Sequence, residues 1–252
     1  MKNLEHLYLE SLTNLTSLPL MTVHLTGITH LSLKGSASLF GSGDIQDGPI
    51  EPGTERMIWM IRSLPNLVEL NLDECGIKEF PTIEGMSATT NLKKLSMNNN
   101  PDMSIKRGLA SFEGLEELSM RNCNMPCLSS AVSCLSQLRY LDVSSNGMVE
   151  CHGLGKLTNL RTLKASDNPF PGFPKDILLI ENIQNIILTG CTYLEIVASL
   201  SDVADKLPFL NKIDVRKGDK GRFQEMSKQW LAQLNDIYVN QYNRVSHVVI
   251  FD

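Results

Sequence analysis

The chain has 252 residues, 42% hydrophobic and 20% charged, with a formal net charge of -5 and a pI near 5.6. This is a water-soluble composition long enough to bury a large core, and the acidic balance argues against a phosphate backbone or an anionic membrane surface as main partner. No apolar run approaches the roughly 18 residues that would suggest a bilayer span, and MKNLEHLYLE lacks the apolar block of a secretory signal, so the expectation is a cytoplasmic protein without membrane insertion.

In chain order, one apolar template returns: Leu4, Leu7, Leu9 in LEHLYL; Ile28, Leu31, Leu33 in ITHLSL; Leu67, Leu70, Leu72 in LVELNL. It continues as LKKLSM from Leu92, LEELSM from Leu115, LRYLDV from Leu138, LRTLKA from Leu160, IQNIIL from Ile183 and LNKIDV from Leu210. Most of these nine units lie 22 to 27 residues apart. Alternation in L-x-L directs two side chains to one face of a short strand and the residue between them to the other. Each strand is too short to stand alone, so parallel stacking of successive strands must supply the core.

Three residues before the template stands another apolar residue, as at Leu64, Phe112, Leu135, Leu157, Ile180 and Leu207. Three residues after its last apolar position stands Ser36, Cys75, Asn100, Cys123, Asn146, Asn168 or Cys191. These side chains are expected to turn inward and bond backbone groups that would otherwise be buried unpaired. Cys127, Cys134 and Cys151 remain, without the spacing of a disulfide framework or a zinc knuckle.

Between strands, helix-like segments are predicted over 54–64 with Thr54 as N-cap, 128–135, 173–180 and 195–207. In the first, Met57, Ile61 and Leu64 share a face that leaves Trp59 elsewhere. Residues 40–53, FGSGDIQDGPIEPG, are an insertion loop by their Gly, Pro and Asp content, and GSGD lacks the Lys and Ser/Thr of a phosphate loop. Residues 222–238 place Phe223, Met226, Trp230, Leu234 and Ile237 on one stripe, and Val245, Val248 and Ile250 repeat the template. Repeats over 1–218 and a capping helix with a final strand over 219–252 are therefore expected. With Met1 three residues before Leu4, the first strand would bare its core edge, which suggests a longer polypeptide or complex covering that end.

With its L-x-x-L-x-L-x-x-N/C phrase, the chain resembles the leucine-rich repeat family from about residue 3 to 218. The resemblance implies an α/β solenoid of about nine to ten repeats, a curved right-handed stack with short parallel strands on the concave side and helices and irregular turns on the convex side. LEHLYLESLTNLTSLP and LPNLVELNLDECGIKEFP also resemble the repeat region of plant-type nucleotide-binding immune receptors, where it acts as a sensor and restrains an ATPase. Cytosolic scaffold and phosphatase-regulator repeats share the same units. A third possibility is the substrate-recognition part of a multidomain enzyme or kinase whose catalytic domain lies elsewhere.

Catalysis finds no support in the sequence: His6, His24, His30, His152 and His247 are scattered, without a GxSxG, HExxH or paired CxxC motif. No catalytic residue, cofactor or metal is assigned. A binding module has a positive mechanism, because the outward residues of successive strands fall in register on one face. The expected protein-contact residues are Arg121, Tyr140, Asp142 and Lys164, with Lys94 and Glu117 beside them. Arg and Tyr combine large contact area with a polar handle, and mixed charges favour a charged protein partner over an apolar helix.

Overall fold

The computed structural model describes residues 3–16, 25–40, 52–80, 91–105, 108–191, 200–216, 225–242 and 249–250. They fall into two compact units, Met1–Asn124 with Ser129–Leu135, and Met125–Leu128 with Ser136–Asp252. In both units strands of two or three residues pair in parallel, each strand joined to the next by a connecting segment that returns the chain to the same end.

In the first unit the strand order is β1 (His6–Tyr8), β2 (His30–Ser32), β3 (Glu69–Asn71), β5 (Lys94–Ser96), β7 (Glu117–Ser119). The central residues Leu7, Leu31, Leu70, Leu95 and Leu118 stand opposite one another, and the last four are buried. Each fully buried leucine contributes about 2 kcal/mol relative to an exposed one, so the alternation of the template carries much of the unit's stability. Leu4, Leu7 and Leu9 of the first strand are only half-buried. β4 (Glu79–Phe80) and β6 (Ser104–Ile105) form a separate two-stranded parallel sheet, and Phe80 meets Phe112 edge to face at 5.9 Å.

The second unit repeats the plan with β8 (Tyr140–Asp142), β9 (Thr162–Lys164), β10 (Asn185–Ile187), β11 (Lys212–Asp214) and β12 (Val249–Ile250). Leu141, Leu163, Ile186 and Ile213 occupy the inward positions and are buried. The last pairing sets Val249 opposite Ile213 and Ile250 opposite Asp214. That is one residue out of phase with the template reading of Val248 and Ile250, and a one-residue slip exchanges the two faces of a strand.

The connectors correct several boundaries. Helix α1 spans Pro52–Ser63, so Thr54 lies inside it rather than capping it. Proline tolerates the first turn because its missing N–H has no helical partner there. Residues 41–51 of the expected insertion lie outside the described residues, while Pro52 and Gly53 belong to this helix. Met57, Ile61 and Leu64 are buried as expected, and Trp59 is half in water at the rim of a shallow apolar recess shared with Leu7, Ile28 and Met60.

Only Ser130–Ser133 of the 128–135 segment forms a helix, α2, capped by Ser129, whose Oγ accepts from the Ala131 N–H at 3.3 Å. The 173–180 segment forms a 3-10 turn over Lys175–Leu179. Helix α3 spans Leu200–Lys206, and α4 spans Glu225–Tyr242. Within α4, Leu234 and Tyr238, one turn apart, are fully buried, and the Tyr238 hydroxyl donates to the Leu207 carbonyl at 2.8 Å. Tyr238 thus anchors a helix whose expected stripe passed from Leu234 to the half-buried Ile237; Phe223 lies outside the described residues.

The turn after each strand has a fixed chemistry. A residue in the left-handed region precedes the inward polar position: Glu74, Asn99 and Asn122 in the first unit, Ser145, Asp167 and Gly190 in the second. Behind it, buried asparagines act as multiple connectors. Asn100 Oδ1 accepts from the Ile77 N–H at 3.0 Å, while its Nδ2 donates to the carbonyls of Leu72, Met97 and Asn98. Asn168 does the same in the second unit, accepting from the Asn146 and Met148 N–H groups and donating to Val143, Ala165 and Ser166. Cysteines fill the position with fewer bonds: Cys75 Sγ donates to the Leu33 carbonyl at 3.1 Å and Cys123 Sγ to that of Met97 at 3.1 Å.

Candidate partner-binding faces

The outward residues of the first unit form lanes across the strands. His6, His30, Glu69, Lys94 and Glu117 stand in register along one lane. His30 Nε2 faces Glu69 Oε2 at 3.7 Å, and Lys94 Nζ meets Glu117 Oε1 at 3.1 Å. The Glu117 carboxylate, by hydrogen bond and charge, raises the Lys94 ammonium above its ordinary pKa. The next lane runs from Tyr8 through the small polar residues Ser32, Asn71, Ser96 and Ser119.

Beyond the strand ends each Asp or Asn side chain reaches the following repeat. Asp73 Oδ1 accepts from Ser96 Oγ at 2.6 Å and from the Asn98 N–H at 2.7 Å. Asn98 Oδ1 in turn accepts from Ser119 Oγ and the Arg121 N–H, both at 2.7 Å. Arg121 is held by its backbone while its side chain is exposed. These cross-strand bonds fix the lanes before any partner arrives, which lowers the ordering cost of binding.

In the second unit three of the expected contact residues come together. Lys164 Nζ lies over the Tyr140 ring, 5.3 Å from its centroid, and the Tyr140 hydroxyl is 3.5 Å from Asp142 Oδ2. All three are half-buried. Asp142 Oδ1 also accepts from the Ser144 N–H at 3.0 Å, so the carboxylate is oriented from below. Lys94 and Glu117 are brought together in the first unit, where Arg121 also lies.

On β11 a carboxylate is clamped. Asp214, 1% exposed, receives Arg216 Nε and Nη2 at 2.9 and 2.7 Å and Lys212 Nζ at 3.1 Å. Burial alone would push its pKa up, but the hydrogen bonds from Arg216 and Lys212 and the Arg216 charge outweigh burial and hold it at about 2.

The thiols divide by burial. Loss of hydration pushes Cys75 and Cys151 up to about 12 and Cys123 and Cys191 to about 11, which leaves them poor nucleophiles. Cys127 and Cys134 are exposed. Among the described residues no group of three His, Cys, Asp or Glu side chains is placed to hold a metal ion, and no helix is long and apolar enough to cross a membrane.

Two features escaped the sequence reading. The asparagine just before the template donates back to the preceding repeat, Asn66 to the Thr26 carbonyl and Asn91 to Pro65 in the first unit, Asn159 to Ser136 and Asn182 to Thr158 in the second. The recurring N-L or N-I dipeptide was its signal. The other is a set of rings: His6 stacks on His30 with centroids 4.2 Å apart and planes inclined by 22°, and Tyr8 lies near-parallel to His6 with centroids 6.4 Å apart. Histidine at the same template position 24 residues apart announced it.

No protein-family model matches the sequence, and no curated protein does. Solved structures do. The chain is similar over 86% of its length to TLR13 in a TLR13–ssRNA13 complex, with a TM-score of 0.64 and 20% identity. The fold is that of the leucine-rich repeat. Human 5T4, a trophoblast glycoprotein and Wnt-activated inhibitory factor, matches over 97% of this chain with a TM-score of 0.66 and 17% identity. The leucine-rich-repeat protein LIC12759 of Leptospira interrogans matches over 100% with a TM-score of 0.55 and 16% identity. The chain spans 29% of the TLR13 chain, 65% of the Leptospira chain and 84% of the 5T4 chain. As a leucine-rich-repeat solenoid of the α/β class, it has the fold that the template implied.

Proposed function

We propose that this leucine-rich-repeat chain is a non-catalytic, cytoplasmic interaction module that binds a protein through the outward residues of its strands. Lys94, Glu117 and Arg121 are the contact residues of the first unit, and Tyr140, Asp142 and Lys164 those of the second. The observation that carries this reading is the Tyr140 cluster: a half-buried ring with a cation 5.3 Å above it and a carboxylate at its hydroxyl. Such a group offers apolar area and both charge signs in one fixed arrangement, which suits a polar protein surface. The solvation of a strand face requires polar residues, but it does not require a tyrosine held between two charges.

Protein rather than nucleic acid is favoured by the net charge of -5. The TLR13 structure holds ssRNA, so RNA belongs in the test. Affinity capture of the chain from cells, read by mass spectrometry with and without ribonuclease, is repeated with Arg121→Ala and Tyr140→Ala. Loss of captured proteins in the variants, insensitive to ribonuclease, supports the reading. An unchanged set, or one removed by ribonuclease, contradicts it.

A further inference from the structure

We propose that the first unit docks an arginine-bearing, basic segment of a protein partner on the ring set His6, Tyr8 and His30, flanked by the carboxylates of Glu10 and Glu69. The inference rests on the reading above that outward strand residues bind protein, and it adds a second locus and a ligand chemistry. Tyr8, at one end of the set, is 63% exposed, a large aromatic surface left in water on a polar strand face. It does not stand alone, because His6 lies beside it and stacks in turn on His30 across the strand pair. The face of an aromatic ring carries negative quadrupole density, and a flat guanidinium both stacks on it and is attracted by it.

The carboxylates make the preference for a cation stronger. Glu10 stands on the same side of the first strand as Tyr8 and is held in place by Ser32 Oγ, which donates to its Oε1 at 2.5 Å. Glu69 borders His30 at the other end of the ring set. Lys34, the outward cation of the second repeat, is paired with Glu74 at 3.4 Å. The unit as a whole agrees: it has 10 Lys and Arg against 15 Asp and Glu, whereas the second unit has 13 against 13, so the chain's entire net charge belongs to the first. Nucleobases also stack on exposed rings, but a polyanion would meet this negative field, and a basic peptide would be drawn in by it.

The probe is a fluorescein-labelled hexa-arginine peptide, titrated against the whole chain by fluorescence anisotropy at about 50 mM salt, where surface charges are little screened. Hexa-lysine and a single-stranded RNA hexamer are the comparison probes. Hexa-arginine is expected to bind more tightly than hexa-lysine. Tyr8→Ala should weaken it about threefold to tenfold, while Tyr8→Phe, which keeps the ring, stays within about twofold. Glu10→Gln combined with Glu69→Gln keeps the side-chain acceptors and removes the charge, and should weaken binding about fivefold or more. No binding of hexa-arginine to the parent chain, equal binding by all variants, or tighter Tyr8-dependent binding of RNA would overturn the proposal. Capture of a protein partner that depends on Tyr140 and not on Tyr8 would leave the wider reading standing and remove only this site.

Discussion

The two units share a template, strand length and turn chemistry, yet their outward residues differ. The first carries five excess carboxylates, cross-strand ion pairs and an exposed ring set; the second is neutral by composition, and its buried Asp214 is tied to Lys212 and Arg216. The inward side of each unit is nearly interchangeable with the other. Stability and recognition are thereby separated by the alternation of a three-residue strand, and the outward residues are free to diverge without disturbing the core.

The largest expected effect tests how much the inward turn position carries. Asn168→Ala in the second unit leaves two N–H groups and three carbonyls without their side-chain partner, and should cost about 3 kcal/mol. Cys123→Ala in the first unit removes weaker thiol bonds and should cost about 1 kcal/mol. Urea unfolding of both variants measures the difference, and equal losses would show that the two residue types do the same work at this position.

An acid titration sharpens the electrostatic side. Asp214 is depressed from 3.8 to about 2 in the folded chain, so between those values the unfolded chain binds the extra proton. Its contribution is complete above about pH 4 and disappears as the pH falls toward 2. Asp214→Asn should lose that part of the pH dependence and cost about 1–2 kcal/mol at neutral pH, where Lys212 and Arg216 are left facing each other. Urea midpoints of both chains across pH 2 to 7 check this.

A smaller gain is expected at the turn itself. Ser145 occupies the left-handed region at φ 58°, where Gly190 stands in a later repeat of the same unit. Ser145→Gly should raise stability by about 0.5–1 kcal/mol, read as a higher urea midpoint, because glycine adopts this φ without a Cβ clash. A fall would show that the Ser145 hydroxyl, 3.4 Å from Asp167 Oδ2, matters more than the strain.

The repeat was legible in the sequence because the inward positions of successive repeats follow one rule, apolar at period two, met mostly by leucine, isoleucine or valine and at Met97, Met120 and Ala165 by methionine or alanine. The inward Asn and Cys positions were legible for the same reason: few side chains can be small, buried and bonded to backbone. The connectors were harder. FPKDILLI has helical spacing but forms only a short 3-10 turn, and Thr54 looked like a cap although Pro52 already opens the helix. Tyr238 was missed because its hydroxyl finds a carbonyl 31 residues away, a partner that no helical wheel displays. Outward residues obey no rule of their own. The Tyr140–Lys164 contact and the His6–His30 stack depend on how side chains of paired strands turn toward one another, which the register alone does not specify.

The most direct measurement of the central claim pairs thermal unfolding with partner capture for Tyr140→Ala and Lys164→Ala. Because both side chains lie on the outward face, the melting temperature should shift by no more than about 2 °C, while capture of the protein partner falls sharply. Intact capture with an unchanged melting temperature would place recognition elsewhere on the chain and contradict the account.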